Sequence, residues 1–342
     1  MSKKDILSYD LEELGSEMEL MGEKKFRAKQ VYEWLHTKRV HEFVNMSNIS
    51  SSLRTKLDEK YCINCLKIVR KLESALDNTV KYLYELPDGN HIESVLMEYK
   101  HGNSLCISTQ VGCKMGCSFC ASTIAGFRRD LSASEMLLQV YTAEEDSGRH
   151  VDSIVLMGIG EPLDNFDNVV RFLRMLSFEV GKNLSLRHVS LSTCGLVDQI
   201  YELAEYKFGL TLSISLHAPD DAKRSSIMPI NKRYSIAELI KACRDYINKT
   251  GRRISFEYAV IHGVNDTPED AEKLVKLLKG INCHVNLIPV NEIKERSYRS
   301  DKNAVHAFAS ALEKGGLNVT VRRTLGADID AACGQLRREY EF

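Results

Sequence analysis

The sequence has one Trp and six Pro in 342 residues, and it has no long apolar run. Without a stretch of about 18 consecutive apolar residues, no membrane-spanning helix is expected. The opening MSKKDILSYDLEEL places a charge every few residues. It lacks the apolar core of a secretory signal, so the sequence predicts a cytoplasmic protein with no membrane association. Charge of one sign is missing as well: 46 Lys and Arg against 47 Asp and Glu leave a formal net charge of -1. No global basic field announces nucleic acid, and any RNA contact must come from local patches. Cysteine, by contrast, is not scarce. Ten are present, and in a reducing compartment a cluster of them points to metal binding or catalysis before a disulfide scaffold.

Residues 1–65 read as a small helical domain. Phe26, Gln30, Val31, Trp34 and Leu35 are spaced to share one face, and Ile49, Leu53 and Leu57 recur every four positions. The opposite faces are basic, with nine Lys or Arg against five Asp or Glu over residues 23–60. Residues 66–98 read as a hairpin linker, because VKYLYEL and HIESVLM flank the turn signal PDGN. From residue 99 to 342, strand-like runs alternate with helical ones: LCIST, DSIVLM, RHVSLST, LTLSIS, ISFEYAV and HVNLIP. One helix is opened by the capping box Ser132-x-x-Glu135. Such alternation predicts an α/β fold of about six βα units, an incomplete TIM-like barrel with its active site at the carboxyl ends of the strands.

The sharpest chemical signal is Cys113-x3-Cys117-x2-Cys120, in a Gly-containing loop just after a strand. Structural zinc sites prefer four ligands, often as two C-x2-C pairs. Three thiolates instead suit a [4Fe-4S] cluster whose fourth iron stays open to a ligand. Gly158-Ile-Gly160-Glu161-Pro162 follows the apolar strand IVLM, setting a carboxylate at a strand end where glycines admit close backbone approach. Ser192, Ser215, Leu216, His217 and Asn291 stand at other strand ends. Cys106 and Cys333 lie outside the three-cysteine run, and the residues alone leave open whether they act or merely pack. Cys62-x2-Cys65 has no second pair nearby.

Taken together, CISTQVGCKMGCSFC, AGFRRDL, MGIGEPLDN, LSISLHAP, RSSIMPINKRY, HVNLIPVN and DIDAACGQL resemble the RlmN family of the radical S-adenosylmethionine (SAM) superfamily. The family comprises dual-specificity methyltransferases acting on carbon 2 of an adenine in the peptidyl transferase centre of 23S rRNA and of an adenine in tRNA. The resemblance implies a radical SAM barrel with Cys113, Cys117 and Cys120 on the cluster, and Gly160, Glu161, Ser192, Ser215, Leu216, His217 and Asn291 on SAM. It implies that Cys333 is the cysteine that is itself methylated, that Cys106 resolves a covalent RNA adduct by forming a disulfide with it, and that Glu93 accepts the carbon-2 proton. Two SAM molecules per turnover and an electron donor such as flavodoxin or ferredoxin are implied too. This chain departs from the usual pattern at Cys194 and at Leu325, where serine and arginine are common. Two rivals follow. One is methylation of carbon 8 of the same rRNA adenine, disfavoured by Pro162, Gly126-Phe127-Arg128-Arg129 and Ile288-Pro289-Val290-Asn291. The other is a non-enzymatic RNA-binding zinc protein, for which His101 and Cys106 are the nearest candidates for a fourth ligand.

Overall fold

A computed structural model describes residues 3–290 and 298–329. Asn291 and Cys333, both singled out above, lie outside the described residues. Ten strands form one sheet: β1 Lys67–Glu73, β2 Val80–Glu85, β3 His91–Tyr99, β4 Gly102–Cys106, β5 Ser153–Leu156, β6 Val189–Thr193, β7 Thr211–Ser215, β8 Ile254–Val260, β9 Cys283–Pro289 and β10 Val319–Val321. Spatial order equals chain order, so every strand lies beside its neighbour in sequence. Strands β1 to β4 pair antiparallel. From β4 to β10 all pairing is parallel.

Parallel neighbours need crossovers, and the helices supply them. These are α4 Ala133–Ser147, α5 Phe166–Ser177, α6 Val197–Tyr206, α7 Asp221–Ile227 with α8 Ile236–Thr250, α9 Pro268–Leu278 and α10 Lys302–Lys314. Six crossovers around an unclosed parallel sheet make the incomplete (β/α)6 barrel that the alternation predicts, with β10 as an added edge strand. Helix α4 opens on the Ser132–Glu135 capping box. The hairpin strands β2 and β3 continue the barrel sheet, with β1 along their outer edge.

The N-terminal helices are α1 Leu11–Leu20, α2 Arg27–His36 and α3 Ser51–Lys60. The buried face of α2 is Ala28, Val31, Tyr32, Leu35 and His36, which differs from the face expected from spacing. Phe26 is the N-cap, outside the helical repeat, and is 56% exposed. Trp34 lies half-buried under the Lys38 ammonium, 3.5 Å from its ring centroid. Ile49, Leu53 and Leu57 are buried as their spacing predicts. Helix α2 docks on the barrel through His36, whose Nδ1 is 3.2 Å from the Tyr141 hydroxyl on α4, and the turn that follows it docks through Arg39, 2.6 Å from Glu144.

Candidate active site

The chain leaves β4 at Cys106 and rises over the carboxyl ends of the strands. Ile107 still donates to Val155 on β5, but a Cβ on Gly158 would come within 2.5 Å of the Ile107 carbonyl oxygen. Backbones that close exclude any side chain at that position. Gly160 is held at φ +113°, where a Cβ would meet Gln110 and Thr109 at 2.7–2.8 Å. The Gln110 side chain accepts from the Glu161 amide at 2.8 Å and donates to Asp130 and Asp164. The glycine-rich turn is therefore pressed against the segment that leads into the three-cysteine loop.

A cavity of about 380 Å³ opens above these strand ends. Cys113, Cys117 and Cys120 line one side, Gly160 and Glu161 follow from β5, and Ser192, Ser215 and His217 come from β6 and the end of β7. Glu93 from β3 and Cys106 from β4 line the same cavity. Of the described candidates, only Leu216 stays out of it; its side chain is buried in the core. Its backbone contributes instead, donating to the Glu257 carbonyl and accepting from Arg224.

Each group has a readable local state. Burial pushes the Cys113 thiol up to about 12, with Cys120, Glu161 and Asp164 adding to the effect. Cys117 is raised by burial and then by Cys120 and Cys113. Cys113 and Cys117, so raised, remain protonated unless metal takes up the charge, while Cys120 is part-exposed. Among the described residues no three His, Cys, Asp or Glu side chains converge tightly enough for a single metal ion. A cluster has no need of such convergence, since each of its irons takes one thiolate. The donor set therefore fits a [4Fe-4S] group.

Glu161 is fully buried, and burial raises its pKa against the hydrogen bonds it accepts. Its two oxygens take the Cys194 amide at 2.7 Å and the Leu163 amide at 3.1 Å. No cationic side chain among the described residues pairs with it, so it is suited to a ligand ammonium in the cavity. Ser192 and Ser215 bring their hydroxyls to 3.4 Å. His217 sits at φ +54° with its Nδ1 accepting from the Ala259 amide at 2.9 Å. Burial lowers its pKa to about 3, so the ring is neutral and carries its proton on Nε2. Phe119, beside Cys120, meets that ring edge-on at 4.9 Å.

In the same cavity Cys106 is a free thiol pushed up to about 11 by burial, with Arg322 the largest influence in the opposite direction. The Glu93 carboxylate pairs with the Lys81 ammonium at 3.2 Å, the two side chains being 2% and 1% exposed. The Ser108 hydroxyl donates to the Glu93 carbonyl at 2.7 Å and accepts from Ile159, tying this wall to the glycine-rich turn. Leu325 packs with Val95, Met97 and Cys106.

Three further residues escape the sequence reading. Arg224 is fully buried and donates to the carbonyls of Cys194, Ser215 and Leu216, so one guanidinium fixes two strand-end loops. Glu257 on β8 and Arg322 after β10 line the cavity. Arg224 opens the RSSIMPINKRY segment, but nothing there marks it as buried, and nothing in the sequence around Arg322 distinguishes it from a surface cation. Lys81 does carry a signal: it sits inside the apolar run VKYLYEL, where a lysine must find a partner or face solvent.

Known proteins extend these observations. Residues 4–63 match the family described as the ribosomal RNA large subunit methyltransferase N-terminal domain, and residues 107–278 match the radical SAM superfamily. A probable dual-specificity RNA methyltransferase RlmN of Lachnoclostridium phytofermentans is 54% identical over 339 residues, covering 99% of this chain and 95% of that protein. One from Clostridium perfringens strain 13 is 52% identical over 338 residues, covering 98% and 97%. A crystal structure of a radical SAM methyltransferase from Sphaerobacter thermophilus superposes with a TM-score of 0.92 at 41% identity, covering 97% of this chain and 98% of that one.

Proposed function

The chain belongs to the RlmN family of radical SAM RNA methyltransferases, and from that membership we propose that it methylates carbon 2 of an adenine in 23S rRNA and in tRNA. One observation carries the reading: the three-thiol loop, Glu93 and Cys106 all line a single cavity. Carbon 2 of adenine is electron-poor and cannot attack the methyl group of SAM in a polar displacement. When bound, the cluster on Cys113, Cys117 and Cys120 supplies the electron that turns SAM into a source of radical chemistry.

The chain's own residues do the rest. Glu161 meets the SAM ammonium, Gly160 lets the backbone close on it, and Ser192, Ser215 and the Nε2–H of His217 are placed to hydrogen-bond its polar groups. Leu216 contributes through its backbone. Asn291 completes the set by family resemblance, as does Cys333, the carrier of the transferred methyl group. In the same cavity the Glu93 carboxylate accepts the carbon-2 proton of a covalent RNA adduct. The Cys106 thiolate then attacks the sulfur of Cys333, so that the disulfide forms as the bond from that sulfur to the transferred carbon breaks; the electron pair leaves with the carbon, and a proton completes the methyl group of the freed base. A reductant must then reopen it, and an electron donor such as flavodoxin or ferredoxin would serve the cluster. Cytoplasmic residence suits both the reductant and the RNA. Among the described residues no helix is long and apolar enough to cross a membrane.

Cys106→Ala tests this directly. Anaerobic protein should hold about four irons per chain; with Cys106 replaced it should stall as protein covalently attached to RNA, while Cys333→Ala should form no adduct. Mass spectrometry of RNA from the wild-type reaction should place the methyl group on carbon 2. A methyl group on carbon 8 would establish the sister activity, and a colourless zinc protein would end the radical reading.

A further inference from the structure

Two arginines on one short segment supply positive charge to the cavity. Among the described residues that line it, Arg322 and Arg323 are the only Lys or Arg, set against the carboxylates of Glu93, Glu161 and Glu257. Both arginines are exposed, and neither has an ion-pair partner among the described residues. The Glu257 oxygens are taken by the Ser255 hydroxyl at 2.8 Å and the Asn286 amide at 2.7 Å, so Arg322 acts on that carboxylate through space. An anionic polymer has to bring its target base into this cavity, and acidic walls alone repel it.

The segment that carries the two arginines is a strap across the open side of the barrel. At its start the Arg322 amide donates to the Leu287 carbonyl on β9, continuing the pairing of β9 with β10. At its end Asp328 accepts from the Ser74 hydroxyl at 2.6 Å and the Ala75 amide at 2.9 Å, in the turn between β1 and β2. The Gly326 amide donates to Asp77 of the same turn at 2.8 Å. Strands β10 and β1 are the two edges of the sheet, so the strap joins edges that the incomplete barrel leaves apart. Leu325 seats it on Val95, Met97 and Cys106. The pleat sets its direction. Thr320 is opposite Asn286, with its hydroxyl 3.4 Å from the Asn286 oxygen, and the Asn286 amide reaches Glu257 in the cavity. Arg322, two residues on, shares that face and points inward. Arg323 and Thr324 follow at the mouth.

We propose that Arg322 and Arg323 form the phosphate site for the target nucleotide: they hold the phosphodiester of the adenosine whose base has entered the cavity, and the anchors on Asp328 and Asp77 fix them there. This rests on the reading of the chain as an RNA methyltransferase. A base modified at a ring carbon has to leave its stack and be buried. Its phosphate stays at the mouth, where guanidinium groups bond it bidentately. Phosphate contacts set register and orientation rather than sequence, which suits one cavity that takes adenines from both rRNA and tRNA. Arg322 also favours the Cys106 thiolate through space, so its loss reaches beyond RNA binding. Arg323 is not among the influences on that thiol and gives the cleaner reading.

The test uses the full-length, cluster-loaded enzyme under anaerobic conditions with a tRNA transcript as substrate. Arg323→Gln should raise the KM for tRNA about fivefold, and Arg322→Gln with Arg323→Gln about tenfold or more. In that double variant the slope of log affinity against log salt should fall by about one, the share of one phosphate. Arg322→Lys with Arg323→Lys should keep the salt slope and recover part of the affinity. Asp328→Ala keeps both arginines but loosens the strap; it should show a similar, smaller loss and add little on top of the double Gln variant. Its iron content and SAM affinity should be those of the wild type. An unchanged KM and salt slope in the double Gln variant would overturn the proposal. So would a loss of SAM affinity in place of RNA affinity, which would assign the arginines to the SAM carboxylate. Full additivity of Asp328→Ala with the arginine changes would overturn the part given to the strap. Wild-type enzyme that methylates neither tRNA nor rRNA refutes the methyltransferase reading itself, whereas wild-type methylation with an unmoved KM in the double variant refutes the phosphate site alone.

Discussion

Single residues at this site are chosen for what they leave out as much as for what they supply. Gly160 is at φ +113°, a conformation that L side chains rarely adopt, and the space for a Cβ is already filled by Gln110 and Thr109. Gly160→Ala therefore meets both backbone strain, on the order of 1–3 kcal/mol, and contact with a segment that cannot yield without moving the three-cysteine loop. We expect a lower melting temperature and at least tenfold weaker SAM binding by calorimetry. Native-like SAM affinity in that variant would show that the turn relaxes freely. Cys194, where serine is common in the family, is buried and bonds to Glu161 through its backbone amide, so the departure leaves that contact intact. Leu325, in place of the usual arginine, removes a cation from the cavity rim and packs instead against Val95, Met97 and Cys106.

At the scale of elements, docking of α2 on α4 depends on a histidine that must stay neutral. Burial lowers the pKa of His36 to about 3, against about 6.5 in an unfolded chain. The folded-state value is depressed, so the unfolded chain takes up the proton first. The contribution of His36 is intact above about pH 6.5 and is lost as pH falls from there toward 3. By pH 5 this loss is on the order of 2 kcal/mol. His217, depressed to the same value by its own burial, acts in the same direction. His36→Phe should flatten the fall in stability between pH 7 and 5 in urea titrations, leaving the share due to His217; an unchanged slope would mean the site admits a charged ring. Elements also show where sequence reading succeeds. Five of the six core strands were legible close to their bounds because each is an apolar run bounded by turn residues, and parallel strands covered on both faces need such runs; the first, expected over LCIST, instead runs Gly102–Cys106. Strand β1 was not legible: KIVRKLE is an edge strand, partly exposed, with a break in register between Ile68 and Arg70. Strand β10 has three residues and depends on β9 for its definition. The three-cysteine run was legible because its ligands are close in sequence. Arg224, Glu257 and Arg322 were not, because each takes its meaning from partners reached only in the folded chain, and Lys81 signals only that a partner is needed, not which one.

For the whole molecule, near-zero net charge requires that RNA be held by local patches. The N-terminal helices offer one. Lys24, Lys25 and Lys29 are exposed at the start of α2 and Arg27 is partly exposed, and none has an ion-pair partner among the described residues. Other cations of this region are engaged: Arg39 with Glu144, Lys60 with Glu17, and Lys56 near Glu23. Free cations at one helix end, where the dipole is also positive, suit phosphate contacts that supply affinity without reading sequence. Neutralising Lys24, Lys25, Arg27 and Lys29 together should weaken RNA binding and flatten its dependence on salt by up to about four phosphate contacts. Iron content and SAM cleavage without RNA should stay as they are, because these four residues do not line the cavity at the strand ends. Binding titrations at several salt concentrations decide the point. An unchanged affinity and slope would move RNA recognition onto the barrel and the exposed Arg128 beside the three-cysteine loop, and would leave the N-terminal helices a structural role, docked through His36 and Arg39.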